Sequence, residues 1–268
     1  RNIICYTYGK KDSFEVATAQ KICTSLNVKW FFVEYNEEIF QSYLNEQAWK
    51  YEVFASQYTS IAHEQDYFAL VELKKKNLIP DDGIIIPGFC ADFPAGSTVP
   101  LVTKRSKIQF SFDGLVNFIL EKHFFTSLKK TNSQLINQLR ESIEIKNIGS
   151  FEEWMEAYDR WFLENKVSKF VNNAIRCFEF LGHRWELPFW DKRFIDFWEG
   201  VPLEQKVNRS FYKEVLLKNY FTPLGIGFNM STADEDLAGS KFFTVVKNIV
   251  PKNIKNVGKK ILLKKSEL

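Results

Sequence analysis

One acidic residue, Asp92, lies in a loop (residues 87–96, the Asp92 loop) made mostly of glycine, proline and other small or apolar residues. The loop follows a short apolar run, residues 83–86, that predicts a buried strand entering a turn. Open α/β sheets bind ligands where such strands end. A carboxylate on a loop that lets a ligand approach the backbone is suited to holding a cation beside an anion. The alternative is a local Asx-turn, in which Asp92 only stabilises the loop.

A second candidate segment, residues 180–194, follows about ninety residues later. It contains Asp191 directly after a Pro-Phe-Trp turn, with Arg184 and Arg193 nearby. A carboxylate beside arginines can orient a charged substrate group, but it can equally cap the next helix and pair with an arginine. Both roles stay open at this point.

The amino-terminal part predicts the elements that position such residues. Residues 3–8 form a strand that ends at Gly9, Ser13 caps a helix, and residues 29–35 form a second strand. A strand, helix and strand within about 35 residues predict a right-handed βαβ unit of a parallel sheet. We therefore expect an α/β fold with a Rossmann-like parallel sheet.

The second half of the chain predicts helices. Before the Asp92 loop, helices are expected over residues 36–44 and 58–76; after it, over 113–124, 132–145, 151–181, 191–199 and 210–220. This pattern divides the chain into an α/β nucleotide-binding part (1–100), a helical part that completes the cleft (101–240) and a basic tail (241–268).

Over residues 2 to about 221, these segments together resemble the synthetase domain of the asparagine synthase family. The matching residues are Tyr8 and Gly9 after the first strand, Gly88, Ala91, Asp92 and Gly96 in the loop, and Pro188, Phe189 and Asp191 in the later turn. The resemblance implies an adenine nucleotide alpha hydrolase type of Rossmann-like sheet. It also implies an ATP-dependent ligase that amidates a carboxylate through an acyl-adenylate, with a separate glutaminase or other ammonia source as partner.

The resemblance also implies roles for individual residues. Asp92 would bind the Mg²⁺ that bridges the phosphates of ATP, Gly88 would allow close approach of the backbone, and Gly96 would provide a positive φ. Tyr8 and Gly9 would contact adenine. For Tyr8 the alternative is packing within the sheet, and each glycine has the alternative of serving only its turn.

Several departures from the family pattern bear on the substrate and on catalysis. Phe89 and Phe93 stand where the family has glutamates and Cys90 replaces a glycine, so we expect a carboxylate other than aspartate, such as a sugar acid in surface-polysaccharide synthesis. The family's catalytic Arg-x-Lys-Glu segment is missing, which leaves Lys213 and Lys218 as candidates for stabilising pyrophosphate, or as solvent-exposed lysines.

The family's pyrophosphate loop, Ser-Gly-Gly-x-Asp-Ser, also does not occur in these residues. Because a strand begins almost at once after Arg1, we expect the chain to start inside a domain. Either the pyrophosphate loop lies upstream, or this chain lacks an ordinary ATP loop. The alternative is a noncatalytic nucleotide-binding or scaffold protein with a degenerate synthetase fold.

Composition sets the broader limits. The chain has 268 residues, 45% of them hydrophobic, and a net charge of +3, which favours a globular protein and gives little support for nucleic-acid binding. Four scattered cysteines without a CxxC pair favour a reducing cytoplasm over a zinc site or a disulfide framework. The tail 241–268 mixes lysines with apolar residues, which suits either a solvated helix or contact with an anionic membrane surface.

Overall fold

The computed structural model describes residues 2–43, 45–58, 60–89, 91–100, 108–124 and 133–226. Residues Arg1–Ile226 belong to one compact unit. The predicted tail and Cys90 lie outside the described residues. The predicted boundary near residue 100 falls beside an undescribed stretch and stays a prediction.

The amino-terminal βαβ unit is confirmed. Strand β1 (Ile4–Gly9), helix α1 (Phe14–Ser25) and strand β2 (Lys29–Glu34) follow in order, and the two strands pair in parallel. The Ser13 hydroxyl accepts a hydrogen bond from the Val16 amide at 3.3 Å, as expected for a helix cap. The cap and the strand pair both follow from strong local signals.

Three helices connect this unit to the next strand: α2 (Glu37–Tyr43), α3 (Glu46–Ser56) and α4 (Gln65–Lys75). The predicted helix 58–76 starts too early, and the sequence pattern does not predict α3. Gln57 and Tyr58 both have positive φ, which ends α3 and prevents helix continuation at the predicted start.

A second parallel pair is formed by two very short strands, β3 (Ile84–Ile85) and β4 (Arg184–Trp185). The Glu186 amide extends the pairing by donating to the Ile85 carbonyl at 3.0 Å. Strand β4 is not predicted, because two residues carry no readable alternation. The α/β class is confirmed, whereas the described strands form two separate two-stranded sheets, so one continuous Rossmann-like sheet stays a prediction.

The prediction that residues 83–86 are buried is wrong for one face of β3. Ile84 is 44% exposed and Ile86 is 61% exposed, while Ile85 packs into an apolar cluster. Among the described residues only β4 pairs with β3. Alternate residues of a strand point to opposite faces, and here only the Ile85 face is covered.

The helical part is built around α5 (Phe112–His123), α6 (Ser133–Ser142) and α7 (Phe151–Phe162). These helices confirm the predictions at 113–124 and 132–145 within a few residues. Their shared core contains fully buried aliphatic and aromatic side chains, namely Leu115, Ile119, Trp154 and Tyr158.

The long helix predicted over residues 151–181 is interrupted. After α7 comes a wide π turn (Leu163–Val167), in which the Ser168 amide donates to the Leu163 carbonyl at 2.9 Å. A 3₁₀ turn (Val171–Ile175) and the short helix α8 (Arg176–Phe180) follow. Apolar spacing continues through these turns, and spacing alone therefore overestimates the helix length.

The last described elements surround the Asp92 loop. A 3₁₀ turn (Pro188–Trp190) leads into α9 (Lys192–Glu199), which ends at Glu199 as predicted, and then into α10 (Leu203–Lys206) and α11 (Ser210–Leu216). A search of the described residues finds no helix with the length and apolarity needed to cross a membrane.

Candidate functional site

The fold brings together the two motifs that lie ninety residues apart in the sequence. Strands β3 and β4 pair in parallel, so the Asp92 loop and the Asp191 turn (residues 188–191) leave the same end of the pair. The contact is direct, because the rings of Phe93 and Trp190 stack with centroids 6.3 Å apart and an interplanar angle of 17°. The Asp92 loop and the Asp191 turn therefore form one region of the structure although they lie far apart in the sequence.

The Asp92 side chain lies at the start of a π turn formed by Phe93–Ser97. It makes no capping hydrogen bond to this turn; the Asp92 carbonyl instead accepts from the Ser97 amide at 2.9 Å. The residue is exposed. Burial lowers the pKa of the Lys166 ammonium, and the nearby Asp92 charge opposes that lowering. Asp92 thus presents its carboxylate toward solvent and a lysine, which differs from the Asx-turn alternative.

Packing below the loop fixes its backbone. Ala95 is fully buried against Trp198 and Val201. Gly96 has φ of 104°, and a Cβ atom there would lie 2.4 Å from the Lys206 carbonyl oxygen on α10. The expected positive φ of Gly96 is confirmed, and close contact with α10 gives a second reason for glycine.

The two phenylalanines of the Asp92 loop take part in aromatic packing. Phe89 stacks on Phe178 with centroids 6.3 Å apart and contacts the His63 ring edge-on at 6.1 Å. Phe93 lies between Trp190 and Phe162, and its centroid is 5.7 Å from that of Phe162. These rings hold the loop in place by apolar contact, and their side chains add no polar groups to it.

Asp191 acts as the cap of α9. One carboxylate oxygen, Oδ1, accepts from the Arg193 amide at 2.9 Å and from Arg193 Nε at 3.0 Å, and Arg193 Nη2 donates to Oδ2 at 3.2 Å. These hydrogen bonds hold the pKa of the Asp191 carboxyl below its usual value. The capping prediction is confirmed, and a role toward substrate stays a prediction.

The residues expected near adenine lie at the end of the other strand pair. Tyr8 donates to Asp66 Oδ2 at 3.2 Å, and its ring stacks on Tyr35 with centroids 5.1 Å apart. At Gly9 and Gly88, open space surrounds the position where each would carry a Cβ atom. The hydroxyl and one ring face of Tyr8 are thus occupied by protein, while the two glycines leave backbone accessible.

Asp66 belongs to the segment His63-Glu64-Gln65-Asp66, in which a histidine beside carboxylates could relay protons. Asp66 lies in the first turn of α4, is only 6% exposed, and accepts from the Tyr6 hydroxyl at 3.1 Å as well as from Tyr8. Burial raises its pKa to about 6, although both tyrosine hydrogen bonds oppose the rise. The sequence shows an acidic residue near His63, but not that Tyr6 and Tyr8 contact it.

We expect Asp66 to make stability depend on pH. Its folded pKa of about 6 lies above the ordinary value of 3.8, so its stabilising contribution is complete below about pH 4 and is lost as the pH rises through 6. Between these limits the wild type should lose roughly 2 kcal/mol of unfolding free energy relative to Asp66→Asn. Urea unfolding of both proteins from pH 4 to 7.5 measures this.

A second carboxyl, the half-buried Asp159, provides the internal control for that comparison. Burial also raises the pKa of Asp159 to about 6, and because Asp159 is present in both proteins its contribution cancels in the difference. A difference between wild type and Asp66→Asn that stays constant across the pH range would contradict the prediction.

The two candidate lysines lie on and after α11. Burial lowers the pKa of Lys213, and the neighbouring positive charge of Arg209 lowers it further. Lys218 is exposed in the π turn that follows α11. Burial raises the pKa of Tyr212, the residue before Lys213, and the negative charge of Asp92 adds to the rise. This helix therefore begins close to the Asp92 loop.

Magnesium is the metal implied for Asp92, and the residues present can be tested against it. Among the described residues no group of three or more His, Cys, Asp or Glu side chains is placed to hold a metal ion. Mg²⁺ at nucleotide sites is commonly held by one or two carboxylates together with substrate phosphates. The single carboxylate of Asp92 fits that shared mode and does not fit a metal site made by protein alone.

Comparisons of this chain with protein-family models, with curated proteins and with solved structures returned no match.

Proposed function

We propose that this chain is the synthetase part of an ATP-dependent carbon–nitrogen ligase. A small-molecule carboxylate attacks the α-phosphate of ATP and releases pyrophosphate. Ammonia or an amine then attacks the acyl-adenylate and releases AMP, leaving an amide. A separate glutaminase or free ammonia supplies the nitrogen.

The observation that carries this proposal is the meeting of the two motifs. The Asp92 loop and the Asp191 turn leave the same end of parallel strands β3 and β4 and are joined by the Phe93–Trp190 stack. This edge of a parallel pair is the usual place for ligands in α/β proteins. The asparagine synthase resemblance rests on these two segments together with the amino-terminal block that ends at Tyr8 and Gly9.

The chain's own residues have distinct tasks in this scheme. Asp92, whose charge acts on Lys166, would hold Mg²⁺ together with the phosphates of ATP, and the bound metal would supply positive charge to the leaving pyrophosphate. Gly88 leaves room for the phosphates to approach the backbone. Asp191 fixes the turn through its hydrogen bonds to Arg193.

A noncatalytic nucleotide-binding or scaffold role is the second candidate. The aromatic packing of Phe89 and Phe93 where the family has glutamates favours it, as does the missing Arg-x-Lys-Glu segment. The hydroxyl of Tyr8 is likewise taken by Asp66. This candidate keeps nucleotide binding and predicts no turnover with any acid.

Pyrophosphate release is the test of the ligase. We expect wild type to release pyrophosphate from MgATP with a suitable carboxylate, sugar acids included, and Asp92→Ala to be slower by about 10²-fold or more, because a metal-holding carboxylate is lost. Asp82→Ala, which removes an exposed carboxylate before β3, should keep the wild-type rate. Equal rates for Asp92→Ala and wild type would remove Asp92 from the mechanism.

A further inference from the structure

A cavity of about 570 Å³ lies in the helical part, between α5, α6, α7 and the π turn that follows α7. This volume is within the range of small-molecule sites in proteins. Its walls are largely apolar, formed by Phe124, Leu135, Leu139, Trp161 and Phe170. Such walls suit a ligand with an apolar body.

The charged groups of the cavity are all basic. Lys122 and Lys166 line it together with His123, and no Asp or Glu is among the described residues of its lining. Within the described part of the chain, Lys166 makes no ion pair with a carboxylate. A cavity with positive charge and without an acidic residue in its lining favours an anionic group on the ligand.

His123 lies close to the other groups that line the cavity. His123 Nε2 lies 2.9 Å from the Tyr158 hydroxyl oxygen. Burial lowers the pKa of His123 to about 4, and the charges of Lys166 and then Lys122 add to the lowering. His123 is therefore neutral at pH 7, and the charges of both lysines act on its ring.

The cavity adjoins the Asp92 loop through a short series of contacts. Lys166 Nζ lies 5.2 Å from the centroid of Phe162, and Phe162 also stacks on Phe93 of the loop. Asp92 in turn acts electrostatically on Lys166. An anion bound at Lys166 would thus lie on the side of the cavity nearest the proposed nucleotide site.

We propose that this cavity binds an organic carboxylate with an apolar ring body, whose carboxylate faces Lys122 and Lys166. The ring body is favoured over a sugar because five apolar side chains line the cavity, against the neutral polar side chains of Gln138, Ser142 and Asn165. Two of these three are already engaged: Ser142 accepts from Trp161 Nε1 at 3.0 Å, and Asn165 donates to the Trp161 carbonyl at 3.0 Å. The binding of this ligand does not depend on the proposed function. Its identity as the acyl substrate of the ligase does.

Calorimetric titration without ATP tests the site, using 2-naphthoate, the neutral 2-naphthamide and D-glucuronate as probes. We expect 2-naphthoate to bind at least about tenfold more tightly than the amide, because only the carboxylate gains charge-assisted hydrogen bonds. We expect D-glucuronate to bind more weakly than 2-naphthoate. Equal binding of acid and amide, or tighter binding of D-glucuronate, would overturn the assignment.

Variants locate the binding within the chain. Lys166→Gln and Lys122→Gln should each weaken 2-naphthoate binding about tenfold. Lys50→Gln, which removes an exposed lysine paired with Glu46 on α3, should leave it unchanged. Near-ultraviolet circular dichroism shows whether each variant keeps its fold, and unchanged affinity in a folded Lys166→Gln protein contradicts the proposal.

Histidine titration gives a readout that needs no variant. A bound carboxylate offsets the two lysine charges, so saturating 2-naphthoate should raise the pKa of His123 from about 4, as followed by NMR of its ring Cε1–H. A pKa that does not move in the presence of bound probe would place the probe elsewhere. Because these measurements omit ATP, their failure is distinguishable from an absence of pyrophosphate release.

Discussion

Gly96→Ala should destabilise the protein by roughly 3 kcal/mol, since an alanine Cβ meets both backbone strain and a steric clash. The residue has φ of 104°, and the new Cβ would lie 2.4 Å from the Lys206 carbonyl oxygen, a backbone atom that cannot rotate away. Relief requires the Asp92 loop and α10 to move apart. The free energy of unfolding from urea denaturation measures the loss.

Gly88→Ala is the matched control on the same loop. Gly88 has no positive φ, and apart from its own chain neighbours no atom lies within 4 Å of the position that an alanine Cβ would take. We expect a change within about 0.5 kcal/mol. Similar losses for the two variants would mean that the α10 contact does not hold the loop.

The parts of the fold that could be predicted are those with strong local signals. Ser13 is correctly predicted to cap a helix, and capping is one of the two roles left open for Asp191, because a side-chain oxygen before a helix commonly accepts from its first amides. The β1–α1–β2 unit follows from the spacing of apolar residues, which changes from strand to helix and back within about 35 residues. Such signals depend on neighbours in sequence, which is why they are readable without a structure.

Long-range features of the site are less accessible. Strand β4 consists of two residues, and its identity depends on pairing with Ile84 and Ile85, about one hundred positions earlier. The burial of Asp66 depends on Tyr6 and Tyr8 lying across from α4. No periodicity within a single segment encodes either fact, because both arise only when separate elements pack together.

The cavity shows the same limit for binding residues. His123 belongs to no metal-binding pattern in the sequence, and Lys166 lies within a helix predicted to be continuous. The structure replaces the α-helix after Phe162 with a π turn, and Lys166 of that turn lines a cavity together with Lys122 and His123. The π turn changes the positions of its side chains relative to a continuous α-helix, which apolar spacing does not predict.

The largest stability effect should come from Trp154→Ala, because Trp154 joins the helices around that cavity. It is fully buried on α7, and its ring contacts Phe118 of α5 at a centroid distance of 4.9 Å and Tyr158 at 5.6 Å. Replacing a buried tryptophan with alanine leaves a cavity and costs about 3–5 kcal/mol. Urea denaturation should show a loss of unfolding free energy of that size.

Trp49→Ala is the appropriate comparison, since it removes the same side chain from a surface helix. Trp49 on α3 is 66% exposed, so its loss should change the free energy of unfolding by no more than about 0.5 kcal/mol. A large loss from Trp154→Ala with little loss from Trp49→Ala would locate the core between α5 and α7. Equal losses would contradict that placement.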